Sequence, residues 1–125
     1  MSSRRTLGFR LESDIKKGGN DGKNQADLTS TDVWYTKADF KEYIEHSKAL
    51  GVNIIPEIDT PAHSLALTKV RPDLRHGTDG RQNDHLNLTT LYSDSLKFVQ
   101  SIFDEYVKGG ENAVFAGSDV IHIGA

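Results

Sequence analysis

Apolar positions along this chain follow three different spacings, and each predicts a different kind of element. Between residues 7 and 12 they alternate, with Leu7, Phe9 and Leu11 on one side, which predicts a short strand. From residue 36 to residue 50 the spacing is helical. Phe40, Tyr43, Ile44 and Leu50 share a face, while Lys41, Glu42, Glu45 and Lys48 fall elsewhere. Thr36 suits the N-cap, Asp39 stands three residues on, and Gly51 supplies a left-handed residue to close the helix. A second helical repeat over 93–108 aligns Leu96, Val99, Phe103 and Tyr106, widened by Ile102 and Val107 and ended by Gly109-Gly110. Consecutive apolar residues mark 53–58 as a strand covered on both faces and 120–123 as a further buried strand. Residues 64–70 read as a short helix stopping before Arg71-Pro72, and 86–88 as a short strand.

Between these elements lie two polar stretches. Residues 13–31 carry Gly18-Gly19 and Asp21-Gly22, and a loop this long, covering about 13–32, reads as a flexible loop at the mouth of a site. Its Lys16, Lys17 and Lys23 read as solvated. Residues 75–85 form another loop, flanked by His76 and His85 without a metal-ligand spacing. Strands separated by helices imply an α/β fold of parallel βαβ units with right-handed crossovers. A (β/α)₈ TIM barrel needs about 250 residues, so these elements amount to about half of one. The open edges of so small a sheet predict self-association.

Composition narrows the function classes. The chain has 125 residues, enough for one domain (1–125), and a net charge of −3 with mixed signs, so no basic face for nucleic acid is expected. No apolar run approaches the ~20 residues that span a bilayer, so no membrane partner is expected either. Residues 1–6 lack the apolar core of a secretion signal, and the compartment stays open. With no cysteine there is no disulfide and no thiolate metal site.

The candidate chemistry gathers in residues 53–64. Glu57 and Asp59 point the same way from a strand, Pro56 and Pro61 bracket the turn, and His63 follows four residues after Asp59. In parallel α/β folds, working groups collect where strands end. Taken singly, these residues read equally as a loop carboxylate and a surface histidine; it is their clustering that points to a site. His122 interrupts an apolar run and reads as either a core residue or a site residue. Arg10 reads first as an exposed charge. His46 reads as an ordinary helix surface residue. Two other classes remain open. Asp59, His63 and His122 would suit a divalent ion in a metal-dependent hydrolase or deacetylase, although no HxH or HExxH signature is present. Trp34, Tyr35 and Tyr92 would suit a non-catalytic glycan-binding module.

Four segments together resemble glycoside hydrolase family 20, the β-N-acetylhexosaminidases and lacto-N-biosidases. They are Gly8-Phe-Arg-Leu-Glu12, Tyr35-Thr-Lys-Ala-Asp-Phe40, Ile55-Pro-Glu-Ile-Asp-Thr-Pro-Ala-His-Ser64 and His122-Ile-Gly-Ala125. Ala62 departs from the family's glycine, a change tolerated if the backbone there does not need positive φ. The resemblance implies a barrel enzyme that removes terminal N-acetylhexosamine from glycans without a cofactor or metal, using the substrate's acetamido group as nucleophile. It implies that an aspartate orienting that amide and a glutamate protonating the leaving oxygen directly follow the 122–125 motif. These 125 residues are therefore expected to be a fragment that is inactive alone. His63 resembles the histidine that supports the acid, Asp59 its companion carboxylate, and Glu57 and His122 neighbours of the same network. Arg10 is not the family's sugar-gripping arginine but is expected near the site, as a substrate-binding or structural residue.

Overall fold

A computed structural model describes residues 9–15, 28–29, 34–77 and 84–124. Leu7, most of the predicted 13–32 loop with its glycines and its three lysines, and Ala125 lie outside the described residues. Three α-helices form: α1 (Lys37–Ala49), α2 (Leu65–Val70) and α3 (Tyr92–Val107). Short 3₁₀ turns at Pro72–Leu74 and Gly110–Asn112 follow α2 and α3.

The cap residues do what their chemistry predicts. Thr36 Oγ1 accepts from the Asp39 amide at 3.0 Å. The Glu12 carboxylate accepts from the Lys37 amide at 2.9 Å, so a side chain from the first segment satisfies a second orphan donor of α1. Gly51 has φ 83°, the conformation that closes the helix without a Cβ penalty. In α3 the buried stripe is Ser95, Phe98, Ile102 and Tyr106: Ile102 and Tyr106 belong to the face read from sequence, and Ser95 and Phe98 do not. Leu96 and Val107 are about half exposed.

The expected α/β architecture is not what forms. Among the described residues there is no β-strand, and the parallel βαβ units of a half TIM barrel are absent. Isolated bridges stand in their place: Phe9 with Thr29, Leu11 with Tyr35 and Glu57 with His122 in parallel sense, and Arg75 with Leu86 antiparallel. A ladder needs successive bonds to one partner, and the first segment does not keep one. The Phe9 amide donates to the Leu28 carbonyl, but two residues later the pairing has moved to Tyr35, whose amide donates to the Arg10 carbonyl. Pro56 has no N–H to extend the 53–58 segment. That segment is also not covered on both faces, for Ile58 is buried while Ile55 is 56% exposed. Val120 and Ile123, predicted in a buried strand, are exposed as well.

The core is held instead by side chains. Phe115 sits between α1 and α3, edge-on to Phe40 at 5.9 Å and stacked on Tyr106 at 5.2 Å. Its amide also donates to the Tyr106 carbonyl. Leu28, Ile44, Ile58, Leu67, Val70, Leu74, Leu86, Phe98, Ile102 and Val114 complete the buried cluster.

Beside this core lies a polar hub. Glu105 of α3 accepts from the Ser13 hydroxyl at 2.8 Å and the Asp14 amide at 2.7 Å. Lys37 Nζ bridges Asp14 and Glu105 at 2.9 Å each. Burial works against the Lys37 charge, but the bonds to Asp14 and Glu105 outweigh it and its pKa is raised. The fully buried Tyr106 donates its hydroxyl to the Glu12 carbonyl at 3.0 Å.

Burial raises the Tyr106 phenol well above its ordinary value, and the Glu105 charge adds to the shift. An unfolded tyrosine ionises at about pH 10. Above that, the unfolded chain holds fewer protons than the folded one, so stability falls as pH rises; below it, this contribution is complete. Tyr106→Phe is expected to cost about 1 kcal/mol at neutral pH through the lost bond. It should also abolish the part of the alkaline loss that Tyr106 causes. Denaturant unfolding of both proteins at neutral and alkaline pH measures this, and an identical alkaline loss in the variant would contradict it.

Candidate active site

Two segments build the site. Residues 56–60 lie beside 122–123 through three backbone bonds: Ile58 N–H to the His122 carbonyl at 3.0 Å, His122 N–H to the Pro56 carbonyl at 2.9 Å, and Thr60 N–H to the Ile123 carbonyl at 3.3 Å. Their side chains follow this register. Glu57 Oε1 lies 2.7 Å from His122 Nδ1, both residues being about half exposed. Asp59, two residues on, packs against Gly124. A Cβ on Gly124 would fall 1.9 Å from Asp59 Oδ1, and Gly124 holds φ 75°. Glu57 and Asp59 therefore both meet the 122–124 segment, as their two-residue spacing predicts.

The 59–64 turn is closed by Ser64. Its buried hydroxyl donates to the Asp59 carbonyl at 2.7 Å, and its amide donates to the Asp84 carbonyl at 2.8 Å. The Thr60–Pro61 peptide is cis, and the positive φ falls on His63 at 54°. Ala62 has no positive φ, so the departure from glycine there carries no backbone penalty. His63 is exposed, and among the described residues it makes no hydrogen bond or ion pair. Asp59 Oδ1 is buried with no hydrogen-bond partner among the described residues, which is costly for a carboxylate oxygen.

Arg10 and Glu57 line one cavity of about 330 Å³, whose other walls include Tyr35, Phe40, Tyr106 and Phe115. So the structure brings Glu57, Asp59 and His122 to one segment pair and sets Arg10 across a shared cavity. It leaves His63 on the outer side of its turn. Asp59, His63 and His122 do not converge as a metal set, and no group of three His, Asp or Glu does so among the described residues. Of the candidate sugar-stacking aromatics, Tyr35 packs on Phe40 and Tyr43 at 5.4 and 6.1 Å, while Trp34 and Tyr92 are about half exposed. Ser64 and Gly124 are the site residues that sequence reasoning did not single out. The signal for each was its place in a quoted motif, a small residue where a close approach is needed.

The class is defined by sequence likeness rather than by the fold. The chain belongs to glycosyl hydrolase family 20: the profile of that family's catalytic domain matches residues 6–125. Among curated relatives, it is 33% identical over 93 residues to the beta-hexosaminidase subunit beta of Sus scrofa, covering 65% of this chain and 18% of the relative. It is 29% identical over 100 residues to a beta-hexosaminidase of Vibrio furnissii, covering 74% of this chain and 15% of the relative. A lacto-N-biosidase of Bifidobacterium bifidum is 26% identical over 73 residues, covering 58% and 7%. The chain thus spans less than a fifth of the length of these relatives.

Gly124→Ala is expected to push residue 124 off the Asp59 carboxylate, with a local strain of about 1–3 kcal/mol relieved by displacement of the segment. Nuclear Overhauser contacts between residues 124 and 59 should be present in the wild type and lost in the variant. Their retention in the variant would contradict the packing described.

Proposed function

We propose that this chain serves a β-N-acetylhexosaminidase-type glycoside hydrolase, acting on terminal N-acetylhexosamine of glycans by substrate-assisted catalysis. The family match over residues 6–125 carries this reading. It is supported by the pairing that gathers Glu57, Asp59 and His122 at one edge. In this reading the residues described here support an acid and an amide-orienting aspartate that are not among these 125. Asp59 lies under Gly124, next to where that pair would enter, and supplies negative charge that favours the protonated form of a neighbouring carboxyl. Holding a carboxyl protonated near neutral pH is what a general acid requires. His63 reaches the acid only from the outer side of its turn, so its role depends on a rotation toward the 122–124 segment. Exposed Ile55, Val120 and Ile123, rather than sheet edges, are the surface on which self-association would rest.

A polypeptide of these 125 residues is expected to release no product above blank from an aryl N-acetyl-β-glucosaminide. The same assay on a protein that also carries the amide-orienting aspartate and the acidic glutamate is expected to show turnover. In a protein carrying that pair, Asp59→Asn should lower kcat/KM by about 10²-fold, the lower end of the contribution of acid catalysis. Turnover by the 125 residues alone, or full activity in the Asp59→Asn protein, would contradict the proposal.

A further inference from the structure

His122 Nδ1 stands within hydrogen-bonding distance of two groups that it cannot serve at once. It lies 2.7 Å from Glu57 Oε1 and 2.9 Å from the Gly124 amide nitrogen. A ring nitrogen either carries a proton and donates, or offers its lone pair and accepts. Donation to the Glu57 carboxylate leaves nothing to accept the Gly124 N–H. Acceptance from Gly124 sets a lone pair against the carboxylate.

We propose that His122 is a proton-operated latch, a positioning residue that holds Gly124 down on Asp59 when neutral and releases it when protonated. In the neutral ring the proton sits on Nε2, Nδ1 accepts the Gly124 N–H, and the half-exposed Glu57 carboxylate turns into solvent, away from the Nδ1 lone pair. When solvent supplies a proton to Nδ1, the imidazolium donates to Glu57, and the Gly124 N–H loses its acceptor. Release has a consequence because of the packing. Gly124 covers Asp59 so closely that a Cβ has no room, and Asp59 Oδ1 beneath it is buried without a hydrogen-bond partner among the described residues. Lifting the segment opens that carboxylate to water.

The charged groups around the ring agree with two states. Glu57 faces it from the 56–60 segment, and Asp59 of the same segment packs against Gly124. Arg10 shares the cavity wall with Glu57. On its own segment, Asp119 is drawn away toward Lys48 of α1 at 3.4 Å. Half exposure of His122 and Glu57 lets the proton exchange freely with solvent, and it keeps the pair weak enough to switch rather than lock. None of this depends on the glycosidase reading, since it concerns only which atom holds the Nδ1 proton.

The test is a pH titration of the ¹⁵N-labelled protein followed by nuclear magnetic resonance. The neutral His122 ring should show an unprotonated Nδ1. The Gly124 amide proton should shift upfield as the pH falls, with the midpoint of the His122 ring itself. His122→Asn retains an acceptor but cannot titrate, so its Gly124 amide should stay constant across the same range. Three results would overturn the latch: a neutral ring carrying its proton on Nδ1, a Gly124 amide indifferent to the His122 titration, or a His122→Asn protein whose Gly124 amide still shifts at the wild-type midpoint.

Discussion

Three backbone hydrogen bonds between residues 56–60 and 122–123 decide where Glu57, Asp59 and His122 stand. They join positions more than sixty residues apart, so their closure must outweigh a loop entropy that no local feature offsets. Once formed, they fix the register, and register fixes partners: Glu57 on His122, Asp59 under Gly124. A shift of one residue would turn Glu57 and Asp59 away and bring Ile58 to the segment instead. The buried position of Ile58 in the core is what makes that slip costly.

The rest of the molecule supports this pairing from below. Phe115 lies a few residues before the 120–123 segment and is clamped between Phe40 and Tyr106, so α1 and α3 together set where that segment begins. The Ser118 hydroxyl then donates to the Ile54 carbonyl at 3.0 Å, drawing the two segments together just ahead of the site. On the far side, Glu105, Lys37, Ser13 and Asp14 tie the first segment to both helices through charge-assisted bonds. A helical scaffold thus carries the site, with hydrogen-bonded segments laid across it.

What could be read from sequence was what is local. Thr36, Gly51 and Gly109 mark helix ends through their own backbone chemistry, and α1 and α3 form within a residue or two of where they were expected. The phase of α3 was partly legible. Ile102 and Tyr106 lie on the face read from sequence and Val99 and Phe103 pack at its margin, but Phe98 is buried in place of Leu96, and Phe115, a contact from outside the helix, stacks on Tyr106. Strands failed for a related reason. Alternation predicts which side chains share a face but not whether one partner persists, and residues 9–12 exchange theirs between 28 and 35. At the site, the two-residue spacing of Glu57 and Asp59 was enough to bring both to one segment. The distance from Asp59 to His63 was not predictable, because a turn with positive φ at His63 carries that ring outward.

The account stands on the 56–60 to 122–123 pairing, and scalar couplings across hydrogen bonds report it directly. Couplings from the Ile58 nitrogen to the His122 carbonyl carbon, and from the His122 nitrogen to the Pro56 carbonyl carbon, are expected to be resolved, with both amides slow to exchange. Absent couplings with both amides exchanging at the rate of an open chain would mean that Glu57, Asp59 and His122 are not held together.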